Sequence, residues 1–160
     1  MSASRNNAEE NRRRLLDGLQ KTVYDVMSTM AWSEVSFVGM EEVSGFTLKG
    51  GVAGMIRMMG EHQGIIGFTT RQHVAGELVS RITGLAASDL ENEDLLDGVA
   101  ELANMIGGGM KSKADIGGVD LTPPLALVGQ EFTAVWKTHL PTFVLTFMLE
   151  EDVFRVYASV

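Results

Sequence analysis

The chain has 160 residues, 45% of them hydrophobic, and a formal net charge of -8, which supplies apolar side chains for one core and too little length for two comfortable ones. Its acidic field repels phosphate backbones and anionic lipid, so no nucleic acid and no membrane is expected as a partner. The absence of cysteine excludes disulfides, thiolate nucleophiles and thiolate metal sites, and it suits a reducing, cytoplasmic setting.

Residues 1–8 are polar and aperiodic and are expected to form a flexible tail, with a single domain over 9–160. No apolar stretch of the kind an export signal needs opens the chain. Leu15, Leu16, Leu19, Val23, Val26, Met27 and Met30 then recur at three- and four-residue spacing, which predicts an amphipathic helix. The Arg12-Arg13-Arg14 run reads as its solvated face. A short strand is expected at 34–38, followed by a loop through Gly51. Two β-branched-rich stretches, 52–59 and 63–69, are joined by Gly60-Glu61-His62 and predict a hairpin. Thr69-x-x-Gln72 resembles a capping box, and Val74, Leu78, Val79 and Ile82 predict a second helix ending at Gly84.

A third helix is expected over about 92–113, its start marked by Ser88, Asp89 and Asn92 and its positive dipole end matched by Glu93 and Asp94. Gly117-Gly118 and Pro123-Pro124 break the chain, and 125–132, 142–150 and 153–160 read as strands. Three helices with about six mostly antiparallel strands predict an α+β fold, the helices packed on one face of the sheet.

At about 100° per residue, Asp97, Glu101 and Asn104 fall within an arc of roughly 60° on the third helix. Leu95, Val99, Leu102, Ala103, Ile106 and Met110 gather opposite. Packing that apolar stripe on the sheet aims the polar row at solvent from a rigid element, which is what a positioned site needs. Geometry alone reads this row more readily as an ordinary solvated helix face than as a site. Asn costs a helix roughly half a kcal/mol against Ala, so local propensity is not optimised here.

Residues 100–111, Ala-Glu-Leu-Ala-Asn-Met-Ile-Gly-Gly-Gly-Met-Lys, resemble the phosphatase helix of the CheC/CheX/FliY family, whose pattern is Asp or Ser, three residues, Glu, two residues, Asn. The similarity to the CheX branch extends over nearly the whole chain after the tail: an N-terminal helix ending near Met30, a Gly-containing hairpin, a helix before Gly84 and the acidic 90–94 segment follow in the expected order. The resemblance implies hydrolysis of the aspartyl phosphate on a CheY-like receiver, a substrate that already carries its own Mg²⁺ and Lys and mainly lacks a water held in line. Asn104 is then expected to orient that water, because an amide both donates and accepts. Glu101 is expected to pair with the receiver's Lys, and Asp97 to assist docking. No cofactor and no metal of the chain's own is implied, and a homodimer built by sheet extension is. The rival from another class is a non-catalytic receiver-binding or flagellar-switch adaptor, which has no need of an intact Glu101/Asn104 pair.

Two departures from the family pattern stand out. In the CheC and FliY forms a Pro follows the Asn after about 22 residues, whereas Pro123 and Pro124 come early. At the comparable place on the second helix the chain reads Glu77-Leu78-Val79-Ser80. Ser is too short to replace the amide, so one site per chain is expected.

Gly107-Gly108-Gly109 ahead of Lys111-Ser112 does not make a phosphate-binding loop, since Met110 intervenes and a helix precedes it. Gly108 lies on the Glu101/Asn104 side, where it either leaves room for a partner's backbone or serves helix-on-sheet packing; the sequence leaves both open. His62, His73 and His139 are scattered and fit solvated or capping roles. Met27, Met30, Met105 and Met110 fall on apolar stripes and are expected in the core.

Overall fold

A computed structural model describes residues 2–160. The N-terminal apolar stripe produces α1 (Ser2–Thr29), with Leu19, Val23 and Met27 fully buried. This helix starts at Ser2 rather than near Glu9, which corrects the expected tail; Met1 lies outside the described residues. Residues 3–8 are exposed and helical. They contain no Gly or Pro to stop a helix that propagates outward from a packed nucleus. Met30, just past the helix end, is 43% exposed instead of joining the core.

The remaining elements in chain order are β1 (Ser36–Val43), β2 (Phe46–Gly60), β3 (Gly64–Thr70), α2 (Gln72–Thr83), α3 (Asn92–Ala114), β4 (Val119–Leu121), β5 (Leu125–Trp136), β6 (Thr142–Leu149) and β7 (Asp152–Ser159). The strands form one antiparallel sheet in the order β1-β6-β7-β3-β2-β4, with β5 also paired to β2. The α+β architecture with helices on one sheet face is as expected, with seven strands instead of six. The additional strand is the three-residue β4. The first strand runs to Val43 instead of Val38, and β2 begins inside the expected loop. Gly45, Gly50 and Gly51 break up the hydrophobic alternation there, which conceals a strand that bends. Pairing of β2 with β5 shifts register between Gly50 and Val52. Beyond that bend, Phe46 and Leu48 pack over the side-chain-free Gly67 of β3.

Two apolar clusters hold the layers. The larger lies between the helices and the sheet and centres on aromatic rings: Phe147 stacks on Phe154 at 5.2 Å and meets Phe37 at 5.5 Å, and Tyr24 approaches Phe147 edge-on at 6.0 Å. The Tyr24 hydroxyl also accepts the Phe37 N–H at 3.1 Å, which ties α1 to the edge strand. The smaller cluster, Phe46, Leu48, Ala53, Met55 and Ile65 with Trp136 and Tyr157 at its margin, covers part of the helix-free face.

Thr69 does not cap α2. It sits within β3, and its hydroxyl donates to the Lys49 and Val52 carbonyls at 3.1 Å each. The N-cap residue is Arg71, which makes no side-chain cap bond. The expected stop at Gly84 is present, in the left-handed conformation that Gly adopts without a Cβ penalty (φ 76°), its N–H donating to the Ser80 carbonyl at 2.8 Å. Among the described residues no helix is long and apolar enough to cross a membrane.

Candidate functional site on the third helix

α3 is fixed from both ends and from its buried side. At its start the N-cap residue is Glu91, whose backbone N–H donates to the Asp94 carboxylate at 2.8 Å. Asp94 thus satisfies an orphan donor while its charge faces the positive end of the helix dipole. At its end Lys111 and Lys113 complement the negative end, and Asp115 closes the helix in the left-handed conformation (φ 50°). Lys113 also reaches Asp25 of α1 at 2.8 Å. Leu95, Val99, Leu102, Ile106 and Met110 are all buried, and together their removal from water contributes on the order of 10 kcal/mol gross.

Three glycines bring neighbouring elements close to this helix. A Cβ at Gly98 would fall 2.5 Å from a Val79 methyl of α2, one at Gly107 would fall 2.9 Å from an Ile56 methyl of β2, and one at Gly109 would run into Thr22 of α1. The helix is therefore clamped against α2 near its start, the sheet along its length, and α1 near its end. Its outward face is left to solvent.

That face carries the expected row. Asp97, Glu101 and Asn104 are all exposed, and none takes part in a side-chain hydrogen bond or ion pair among the described residues. The six apolar positions expected opposite are all buried. Beyond Asn104 the row takes in Gly108, placed on this side from the sequence, and also Lys111. Gly108 stands seven residues beyond Glu101, and Lys111 seven beyond Asn104, each about 20° off its predecessor on the helix. The seven-residue recurrence was available in the sequence, but Lys111 was weighed only as part of a phosphate-binding loop. Gly108, Lys111 and Ser112 line a shallow groove of about 430 Å³, closed on its far side by Asp115, Ile116 and Gly117.

The corresponding face of α2 is occupied with internal bonds. His73 pairs with Asp152 at 3.1 Å, the Ser80 hydroxyl donates to the Leu85 carbonyl, and Arg81 reaches Glu150 at 3.3 Å. Glu77 is exposed and makes no side-chain hydrogen bond or ion pair among the described residues.

A larger cavity of about 990 Å³ lies at the Gly50–Gly51 bend, and no residue of α3 lines it. Lys49, Arg71 and Arg155 are offset there by Glu131, Glu151 and Asp152, so it offers no net charge of either sign. Among the described residues no group of three or more His, Asp or Glu side chains is placed to hold a metal ion.

The family described as chemotaxis phosphatase CheX matches residues 52–148, more than half of the chain and inclusive of all of α3. No curated protein matches the chain in sequence. Among solved structures, it is similar to a chemotaxis protein CheX from Desulfovibrio desulfuricans at 22% identity, covering 90% of this chain and 97% of that one with a TM-score of 0.80. It is likewise similar to a chemotaxis protein CheX from Vibrio vulnificus, at 23% identity, 91% and 97% coverage and a TM-score of 0.80. A third similar structure is that of the CheX-CheY-BeF3-Mg²⁺ complex from Borrelia burgdorferi, at 19% identity, 92% and 95% coverage and a TM-score of 0.71. At these identities the structural likeness bears on the fold alone, and by the family match the chain belongs to the chemotaxis phosphatase CheX family.

Proposed function

We propose that this chain is a cytoplasmic phosphatase that removes the aspartyl phosphate of a CheY-like receiver. The observation that carries the reading is an exposed carboxylate and an exposed amide, Glu101 and Asn104, side by side and unpaired among the described residues, on a helix packed closely against α1, α2 and the sheet. A convex row of this kind encloses nothing, so the reacting group must be brought to it by another macromolecule. A phosphorylated receiver does that, since its phosphoryl group sits in a pocket of its own with Mg²⁺ and Lys already in place. What such a site lacks is an in-line water.

Asn104 supplies it. Its carbonyl oxygen accepts from the water while its NH₂ donates to a phosphoryl oxygen, which turns the water's lone pair toward phosphorus. Glu101, one helical turn earlier, forms a charge-assisted bond to the receiver's Lys and sets the approach of α3. Asp97 extends the acidic row and aids docking. The Mg²⁺ belongs to the receiver; it neutralises charge on the phosphoryl oxygens, and no step asks for a metal held by this chain.

Support comes from the family match across α3 and from a similar structure described as a CheX-CheY-BeF3-Mg²⁺ complex. The test is phosphate loss from candidate receivers with wild type, Asn104→Ala and Glu101→Lys. Asn104→Ala is expected to keep binding and lose turnover by about 100-fold, and Glu101→Lys to weaken binding. Turnover by Asn104→Ala at the wild-type rate would overturn the mechanism.

Homodimerisation by sheet extension belongs to the same reading. β1 ends the sheet order with an outer edge unpaired among the described residues, and its Val38 and Met40 are 59% and 49% exposed.

A further inference from the structure

We propose that Gly108 is a clearance position, where the missing side chain lets the receiver's backbone lie against α3 beside Glu101 and Asn104. The inference rests on the phosphatase reading above and concerns how that same site seats its partner.

The argument begins from three consecutive glycines in the middle of a 23-residue helix, where each lowers helix stability relative to Ala. Two of them have a structural cause within the chain. A Cβ at Gly107 would crowd Ile56 of the sheet, and one at Gly109 would collide with Thr22 of α1. Gly108 has none: a Cβ there meets nothing within 4 Å. Its φ is an ordinary helical one, so no backbone strain asks for Gly either. The fold would be more stable with Ala at this position, and nothing inside the chain forbids it.

What distinguishes Gly108 is its place. It lies about 40° around the helix from Asn104 and one turn, roughly 6 Å, further along, in line with Glu101. It also borders the groove that Lys111 and Ser112 wall. A receiver that brings its phosphoaspartate to Asn104 must lay the adjoining stretch of its surface across this spot. Without a Cβ the approaching chain can come nearer the helix axis, as close backbone approach generally requires of Gly. Any side chain at 108 stands between the two surfaces and weakens the receiver's hold on the helix.

The experiment pairs Gly108→Ala and Gly108→Leu with Gly76→Ala, a matched control. Gly76 lies inside α2, and a Cβ there also meets nothing within 4 Å. The substrate is a CheY-like receiver phosphorylated with acetyl phosphate. Both Ala variants are expected to raise Tm by about 2–4 °C. Gly76→Ala is expected to leave KM unchanged. Gly108→Ala should raise it, and Gly108→Leu should raise it about tenfold or more with the receiver at kcat near wild type.

A wild-type KM in Gly108→Leu overturns the proposal, as does a fall in Tm for Gly108→Ala, which would place Gly108 among the packing glycines. An equal rise in KM with Gly76→Ala would mean that stiffening, not clearance, is at work. If Asn104→Ala loses turnover in this assay while the Gly108 variants match wild type, the phosphatase reading stands and only clearance falls. A wild-type chain that neither binds nor dephosphorylates any receiver overturns both.

Discussion

Gly109→Ala is expected to destabilise the fold, and Thr22→Ala to reverse the sign of that effect. A Cβ at Gly109 would meet the Thr22 methyl, with the Thr22 hydroxyl oxygen at 3.0 Å and its Cβ at 3.3 Å. α1 can recede only by giving up the close packing one turn earlier, where a Cβ on Gly18 would be 3.2 Å from the Met110 carbonyl oxygen and the Ala114 nitrogen. Forcing a methyl into such a contact costs about 1–3 kcal/mol, against a helix-propensity gain of about 1 kcal/mol for Gly to Ala. The net loss is about 1 kcal/mol, a fall in Tm of about 2–4 °C for a domain of this size. In the Thr22→Ala background the methyl and hydroxyl are gone. Only a small shift from the remaining Cβ is needed, so Gly109→Ala should then stabilise by up to about 1 kcal/mol. Thr22→Ala by itself also removes a buried hydroxyl that has no hydrogen-bond partner, which offsets part of the lost packing. Urea unfolding of all four proteins, followed by tryptophan fluorescence, gives a coupling energy of about 2 kcal/mol if the reasoning holds. Stabilisation by Gly109→Ala in both backgrounds would refute it, since α1 and α3 would then part at no cost.

Asn104→Ala should raise Tm by about 1–2 °C while abolishing most turnover, because the side chain is exposed and unbonded and Ala is the better helix former; a loss of activity that tracks a loss of stability would speak against a direct role. Burial holds the Tyr157 hydroxyl above its ordinary pKa of 10.0, with nearby Arg155 pulling the other way and Glu41 adding to the rise. Its contribution to stability is therefore complete below about pH 10 and is lost as pH climbs through the higher folded-state value, so Tyr157→Phe should flatten the alkaline limb of the stability-pH curve; an unchanged limb would discount this group. A second copy is expected to add to β1, so Val38→Lys with Met40→Lys should shift sedimentation toward the monomer, and a dimer that persists in that variant would rule out this edge.

Legibility of the fold followed the strength of each periodic signal. α3 was readable almost to the residue because its apolar stripe is unbroken and its ends carry charges matched to the dipole. Its first residue, Asn92, was read correctly, but the cap was not, since Glu91 and Asp94 make the start without any Ser or Thr. α1 was read short at its start because polar residues without a packed face give no period. β2 was cut short for a different reason. Its first residues pack on the opposite sheet face from its last, so the alternation changes phase at Gly50–Gly51, a consequence of tertiary bending that no local window contains. The site was legible as an exposed row on one helix face; its proposed chemistry rests on the family resemblance. The role of the glycine run was not, because which glycine faces Ile56, which faces Thr22 and which faces open space depends on neighbours more than 40 residues away in sequence.

The arrangement divides the requirements of catalysis between two levels of structure. On the buried side, Gly98, Gly107 and Gly109 let α2, the sheet and α1 come close enough to fix the position of the α3 backbone. On the exposed side nothing within the chain fixes the χ angles of Glu101 or Asn104, which have no partner among the described residues. On the proposed phosphatase reading, the ordering of these two side chains is deferred to the complex, where the receiver's Lys and phosphoryl oxygens would supply the missing bonds. An amide already bonded inside the free protein would have to break that bond before it held a water, and the lost interaction would add to the barrier. Leaving Asn104 unbonded on a fixed backbone avoids that cost while keeping its reach constant. The same separation explains why substitutions on the two sides of one helix should behave in opposite ways: those facing α1, α2 and the sheet move stability, and those in the exposed row move turnover or receiver affinity with stability unchanged or raised.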